Sequence, residues 1–273
     1  MEEIQKVLED FKQKRILVIG DISAAKCPSF RKNGKQVLLA SSALISTYAT
    51  NLGATVSLVG TVGPDVSGSD IILKLRKEKV ILSGLVIDPL KPTLCWKKLH
   101  QGEAESHLNI ITEEQMLESV LKLALGARAI LYVSQNTESF SPKIYKEIKK
   151  VSKSSSIPLA LFSRLSLKQP SSNTKKNDLF ITHNNNSAKT SRSICTKTHS
   201  KRSLVINSKN DFDIVSPSAI KRHKAETKAE LYQYEAALAT MASLLLACYD
   251  SIEYLPKLAK HLVISNKGLS ISK

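Results

Sequence analysis

Six short apolar runs, alternating with helical spacing or polar loops, constrain the fold of this 273-residue chain more than any other feature. The first, Arg15 to Gly20, is unbroken and stops at Gly20-Asp21, the pattern of a strand covered on both faces in a parallel sheet. Thr55–Gly60, Ala127–Val133, Ile157–Phe162, Asp178–Thr182 and Ser203–Asn207 repeat it. Between them, apolar residues at helical spacing predict helices over Leu38–Leu52, Gly68–Lys79, Glu113–Leu125 and Pro142–Ser152. Val80–Pro92 and Thr93–Leu99 read as short extended segments. An amphipathic helix with Ile4, Val7, Leu8 and Phe11 on one face comes first. Ala236–Tyr249, 14 residues long, forms a late core helix shorter than the roughly 20 residues that span a bilayer. Such alternation implies an α/β fold built on a doubly wound, mostly parallel sheet flanked by helices, read here as one domain over residues 1–273.

Charge is distributed unevenly. Lys and Arg number 40 against 24 Asp and Glu, a net +16, enough to draw phosphate-bearing partners. From Phe140 to Lys224 there are 18 Lys and Arg against 4 Asp and Glu, so this stretch holds an excess of 14. It reads either as a solvated surface rich in Lys, Ser and Asn or as a face for an anionic partner.

Cys27, Cys95, Cys195 and Cys248 are widely spaced with no CxxC pair, so neither a disulfide framework nor a zinc knuckle is expected, and a reducing, cytoplasmic setting fits. The acidic, amphipathic opening is unlike a secretory leader, and no membrane association is expected. His100, His107, His183, His199, His223 and His261 lack metal-ligand spacing and read as surface residues, so no metal site is expected. No GxGxxG follows the first strand, and GxxxxGK[ST] and GxSxG are absent, which removes the motif-based dinucleotide, P-loop and hydrolase readings. Trp96 with Lys97 and Lys98 could cover a sheet edge or stack on a base. Asn185-Asn-Ser187 matches a glycosylation acceptor, which carries little weight in a cytoplasmic chain.

The stretch Asn51-Leu-Gly-Ala-Thr-Val-Ser-Leu-Val-Gly60-Thr-Val-Gly-Pro-Asp65 resembles the ribokinase (PfkB) family of carbohydrate kinases. The resemblance is nearest to the heptose-7-phosphate kinase domain of ADP-heptose biosynthesis. Ile19-Gly20-Asp21, Val86 to Thr93 and the Ile157 strand also fall where that family places them, and the resemblance covers roughly Phe11 to Leu262. It implies ATP and Mg2+ as cofactors if the chain is active, a sugar-binding Asp21, a nucleotide-binding Asn184 and a homodimer. Residues 26–39 and 93–107 would be remnants of the lid that closes over the sugar.

The resemblance also marks what is missing. The family's Gly-Ala-Gly-Asp anion hole and base, at the start of the late helix, fall within Lys228–Ala236, where no glycine occurs. The base position becomes Glu235, or Ala236 after a one-residue shift. Glu235 then reads as a relocated base or as a surface or capping glutamate. The sugar-gripping Gly-Gly-x-x-Asn corresponds to Ala40-Ser-Ser-Ala-Leu44, and a second sugar-binding Asp corresponds to Ala25. Asn184 survives, whereas the acidic residue after it and the glycine after the next strand do not.

Groups acting as a unit are not rescued by one survivor. The expectation is therefore a degenerate, catalytically inactive PfkB-type homologue kept as a binding or scaffold protein. The alternatives are a divergent ATP-dependent kinase of a heptose 7-phosphate-like sugar, using Asp21, Asn184 and Glu235, and a basic nucleic-acid-associated protein on the same fold.

Overall fold

The computed structural model describes residues 2–25, 37–95, 110–134, 141–163, 178–184, 200–207, 211–224, 229–249, 251–265 and 268–272. Its elements, in chain order, are α1 (Glu2–Lys12), β1 (Arg15–Gly20), β2 (Ile22–Ala24), β3 (Leu39–Ala40), α2 (Ser41–Asn51), β4 (Thr55–Val62) and α3 (Val66–Lys77). There follow β5 (Ile81–Ile87), β6 (Leu94–Cys95), α4 (Ile110–Ala124), β7 (Ala129–Ser134), α5 (Pro142–Ser154), β8 (Leu159–Ser163) and β9 (Leu179–Asn184). The chain continues through β10 (Arg202–Asn207), β11 (Asp211–Val215), β12 (Ile220–Lys224), α6 (Leu231–Tyr249), α7 (Leu255–Lys260), β13 (Leu262–Ser265) and β14 (Gly268–Ile271).

All six apolar runs are strands of one nine-stranded sheet, in the order β12-β11-β10-β9-β8-β7-β1-β4-β5. From β5 through β10 every pairing is parallel. Successive β1 residues face opposite layers. Ile16 and Val18 point with Leu131 and Val133 toward the layer holding α1, α2, α3, α6 and α7. Leu17 and Ile19 point with Ile130 and Tyr132 toward α4 and α5. Both faces are covered, which is why these strands read as continuous apolar runs rather than alternating ones.

The chain runs from β1 out through β4 to β5, then returns to β7 on β1's other side and continues outward to β10. Strand order therefore reverses beside β1, and the crevice at the finishing ends of β1 and β7 is where open α/β sheets bind ligands. Gly20 closes β1 with φ of 134°, and a Cβ there would lie 1.8 Å from the Val133 carbonyl oxygen, so only glycine lets β1 and β7 meet at this point.

Several expectations need correction. The element predicted over Leu38–Leu52 begins as the two-residue β3 and becomes helical only at Ser41. With β2 and β6, β3 builds a separate three-stranded sheet, β3-β2-β6, above the crevice. The remaining lid positions, 26–36 and 96–107, lie outside the described residues, as do Trp96-Lys97-Lys98 and Asn185-Asn-Ser187. Beyond β10 the sheet turns antiparallel through β11 and β12, and a β13–β14 hairpin follows α7. Neither addition was expected: β12 is dominated by charge, and the apolar stretches of β11, β13 and β14 are shorter than the runs read as strands. Cys95 is in a disulfide whose other half lies outside the described residues, contrary to the expectation of reduced thiols. His183 and His223 are half-buried rather than surface residues, and His223 packs on Phe212 with ring centroids 5.3 Å apart.

Candidate functional site

Asp21 follows β1 directly, and its amide is held by the Val133 carbonyl at 3.3 Å, which puts its buried side chain at the reversal of strand order. The start of α2 packs against this turn. The Ser42 amide and hydroxyl both donate to the Asp21 carbonyl, at 3.0 and 2.5 Å. Ser41 and Ser23 share a hydroxyl hydrogen bond of 2.9 Å. Ser41 has φ of 49°, a left-handed conformation that glycine adopts without strain, at the position where the resemblance placed the second glycine of the sugar grip. Leu44, in place of the asparagine, is buried, as is Ala25.

Beside Asp21 lies a cavity of 30 Å³ lined by Gly20, Thr61, Asp88, Lys91, Met116 and Tyr132, among others. Ligand pockets for small molecules are commonly about 300–1,000 Å³, whereas one water needs only about 10–15 Å³. Among the described residues, the cavity beside Asp21 is thus the size of a few waters rather than of a sugar. Its polar walls are tied into the scaffold. Asp88 accepts hydrogen bonds from the Leu90 amide at 3.0 Å and the Thr112 hydroxyl at 3.3 Å. Tyr132 accepts from the Ser141 amide at 3.1 Å. Burial raises the Tyr132 hydroxyl's pKa, and the charges of Asp21 and Glu113 push the same way, so it stays protonated. Asp88, Lys91 and Tyr132 were missed as site residues. The available signal was a polar residue immediately after an apolar strand, as at Asp88.

The neighbouring turn, Gly63-Pro64-Asp65, is structural. Asp65 caps α3 by accepting from the Gly68 amide at 2.7 Å, and also accepts from the Thr93 amide at 2.6 Å and hydroxyl at 2.8 Å. Burial acts to raise its pKa, but the bonds from Gly68 and Thr93 outweigh it, leaving the carboxyl below its ordinary value.

The end of α6, Leu246 to Tyr249, lies against the starting ends of β7 and β8 at Ala127, Arg128 and Ile157–Leu159. Its 19 residues extend about 28 Å, so its first turn reaches the finishing ends of the strands, the Asp21 edge. There Tyr234 and Glu235 are 0% and 1% exposed, and Tyr232 and Gln233 are half-buried. This corrects the surface reading of Glu235, which is an engaged core residue. A terminal phosphate of ATP needs bare backbone amides at such a helix start, and four side chains, two of them tyrosines, occupy this one; the residues present do not fit that group. Asn184 ends β9 in register with Asn207, three strand spacings or about 14 Å from β1. The structure thus brings Asp21, Asn184 and Glu235 to one edge without joining them into one cluster. No group of three or more His, Cys, Asp or Glu that could hold a metal occurs among the described residues. No described helix is long and apolar enough to cross a membrane.

A reversing parallel sheet with a ligand crevice at β1, a small accessory sheet over it and a late helix aimed at it define the ribokinase-like fold, and comparison with solved structures agrees. Phosphofructokinase-2 from Escherichia coli, solved with substrates and products, superposes with a TM-score of 0.67 at 13% identity, covering 90% of this chain and 91% of that one. Fructokinase from Xylella fastidiosa gives 0.63 at 12% identity, with 96% of each chain covered. Arabidopsis thaliana ribokinase, solved with ribose and ATP, gives 0.61 at 13%, covering 91% and 90%. Among curated proteins, the bifunctional protein HldE of Granulibacter bethesdensis is 23% identical over 173 residues, 55% of this chain. The match spans 36% of that protein's length. No family model matches the chain.

Proposed function

We propose that this chain is a PfkB-type sugar kinase homologue that no longer transfers phosphate and serves as a binding or scaffold protein. The observation that carries the reading is the first turn of α6, where Tyr232, Gln233, Tyr234 and Glu235 stand in place of a glycine-lined anion hole. Transition-state stabilisation in such kinases depends on donors aimed at the transferring group, and side chains at this turn displace them. The 30 Å³ crevice beside Asp21 supports the same reading from the sugar side.

The test is a coupled ADP-release and thermal-shift assay with Mg-ATP, a heptose 7-phosphate and other sugar phosphates. The expected result is neither sugar-dependent ADP release nor a shift; saturable release would sink the proposal. The second reading, a divergent heptose-phosphate kinase using Asp21, Asn184 and Glu235, draws support from the match to HldE and from the shared edge of those residues, and it requires that release. Cytoplasmic residence rests on the sequence alone, and the Cys95 disulfide counts against one of its arguments.

A further inference from the structure

A groove of 1160 Å³ runs along α5, from its first turn at Pro142 and Tyr145 to the starting ends of β7 and β8. Among the described residues, six cations line it, Arg128, Lys146, Lys149, Lys150, Lys153 and Lys201, against one carboxylate, Asp178. They come from three separate parts of the chain: the turn before β7, the helix α5 and the residue before β10. Convergence of distant segments on one concavity distinguishes this arrangement from a run of solvated lysines along a single helix.

The α5 lysines stand at positions 146, 149, 150 and 153, the spacing that lines one helical face over about 10 Å. Their like charges oppose one another. Lys150 pairs with Glu147 at 2.6 Å and Lys201 with Asp178 at 2.7 Å. Lys149 lies over the Tyr145 ring at 5.2 Å. Arg128, Lys146 and Lys153 are exposed and make no ion pair among the described residues. The groove offers little for reading bases. Tyr145 is buried, the Tyr249 hydroxyl is bound to Asp10, and burial pushes the Cys248 thiol up to about 11, leaving it protonated and inert. What remains, among the described residues, is a one-sided excess of positive charge in a trough.

We infer that this groove binds the phosphate backbone of nucleic acid without regard to sequence. Linear phosphates neutralised by several side chains release counterions, so binding weakens steeply with salt, by about 0.7 log units of affinity per log unit of salt for each phosphate contacted on a single strand. The proposal is independent of whether the Asp21 edge retains activity.

The experiment is fluorescence anisotropy of the full chain with a labelled 20-nucleotide mixed-sequence DNA and RNA across a salt series. Binding should fall log-linearly with salt and differ little between sequences. The triple variant R128Q/K146Q/K153Q should bind more than tenfold more weakly and flatten the salt slope by about 2. The variant R76Q/K77Q/K79Q, which removes equal charge at the end of α3 toward the other edge of the sheet, should stay within about twofold, with circular dichroism establishing that both fold. Equal losses in the two variants would reduce the effect to net charge and overturn the proposal, as would binding insensitive to salt. Inorganic tripolyphosphate competing as well as oligonucleotide at equal phosphate concentration would reassign the site to free phosphate. Equal binding of polyglutamate or anionic vesicles would assign it to another class of partner and overturn it too.

Discussion

Asp65 shows how a residue that looks functional in sequence is absorbed by structure. It sits in Gly63-Pro64-Asp65 beside the crevice, yet its carboxylate is spent on the Gly68 amide and on the Thr93 amide and hydroxyl. Asp65→Ala should lower stability by about 1–3 kcal/mol through the lost cap and stranded donors, measured by urea denaturation at pH 7. The sign with pH follows from the lowered folded pKa. The stabilisation is complete above the unfolded carboxyl's value near 4 and disappears as pH falls through the lower folded value. The gap between wild type and variant should therefore narrow below about pH 4, and a gap that widened there would contradict the assignment. Glu235 makes the converse point. As one letter it was compatible with a surface cap and with a base, and only burial among the first residues of α6 separates these from a core role.

At the scale of elements, legibility followed burial. Strands covered on both faces have to be apolar throughout, so β1, β4 and β7 through β10 could be read directly. β12, Ile-Lys-Arg-His-Lys at the sheet's edge, could not, because an edge strand is kept soluble by the same charges that hide it from a pattern search. Its partner β11 carries Asp213, fully buried and held by the Arg222 guanidinium at 2.9 and 3.2 Å, a pairing invisible along the chain. Helix ends offer a prediction of their own. Lys79 and Ser156, just past the ends of α3 and α5, have φ of 60° and 52°, the left-handed conformation that Gly53 supplies after α2. Lys79→Gly and Ser156→Gly should each stabilise the protein by roughly 0.5–1 kcal/mol; a lower melting temperature in either would show that the side chain matters more than the backbone strain.

For the whole molecule, a net charge of +16 on 273 residues means self-repulsion in the folded state. Raising salt from 0.01 to 0.15 M shortens the Debye length from about 30 to about 8 Å and should stabilise the fold by about 1 kcal/mol, or about 2–4 °C in melting temperature. Calorimetry at the two salt concentrations checks this, and a fall in melting temperature would mean that ion pairs such as Lys257 with Glu3 outweigh the repulsion. The fold itself was legible because its scaffold residues are local. The state of the site was legible only as departures from the resemblance, since the cavity beside Asp21 is lined by Asp88, Lys91 and Tyr132, which meet only in three dimensions. One consequence follows from α6 running the depth of the molecule. Its last turn borders the basic trough, and its first turn lies at the Asp21 edge. Shortening α6 by a turn would therefore disturb both regions together.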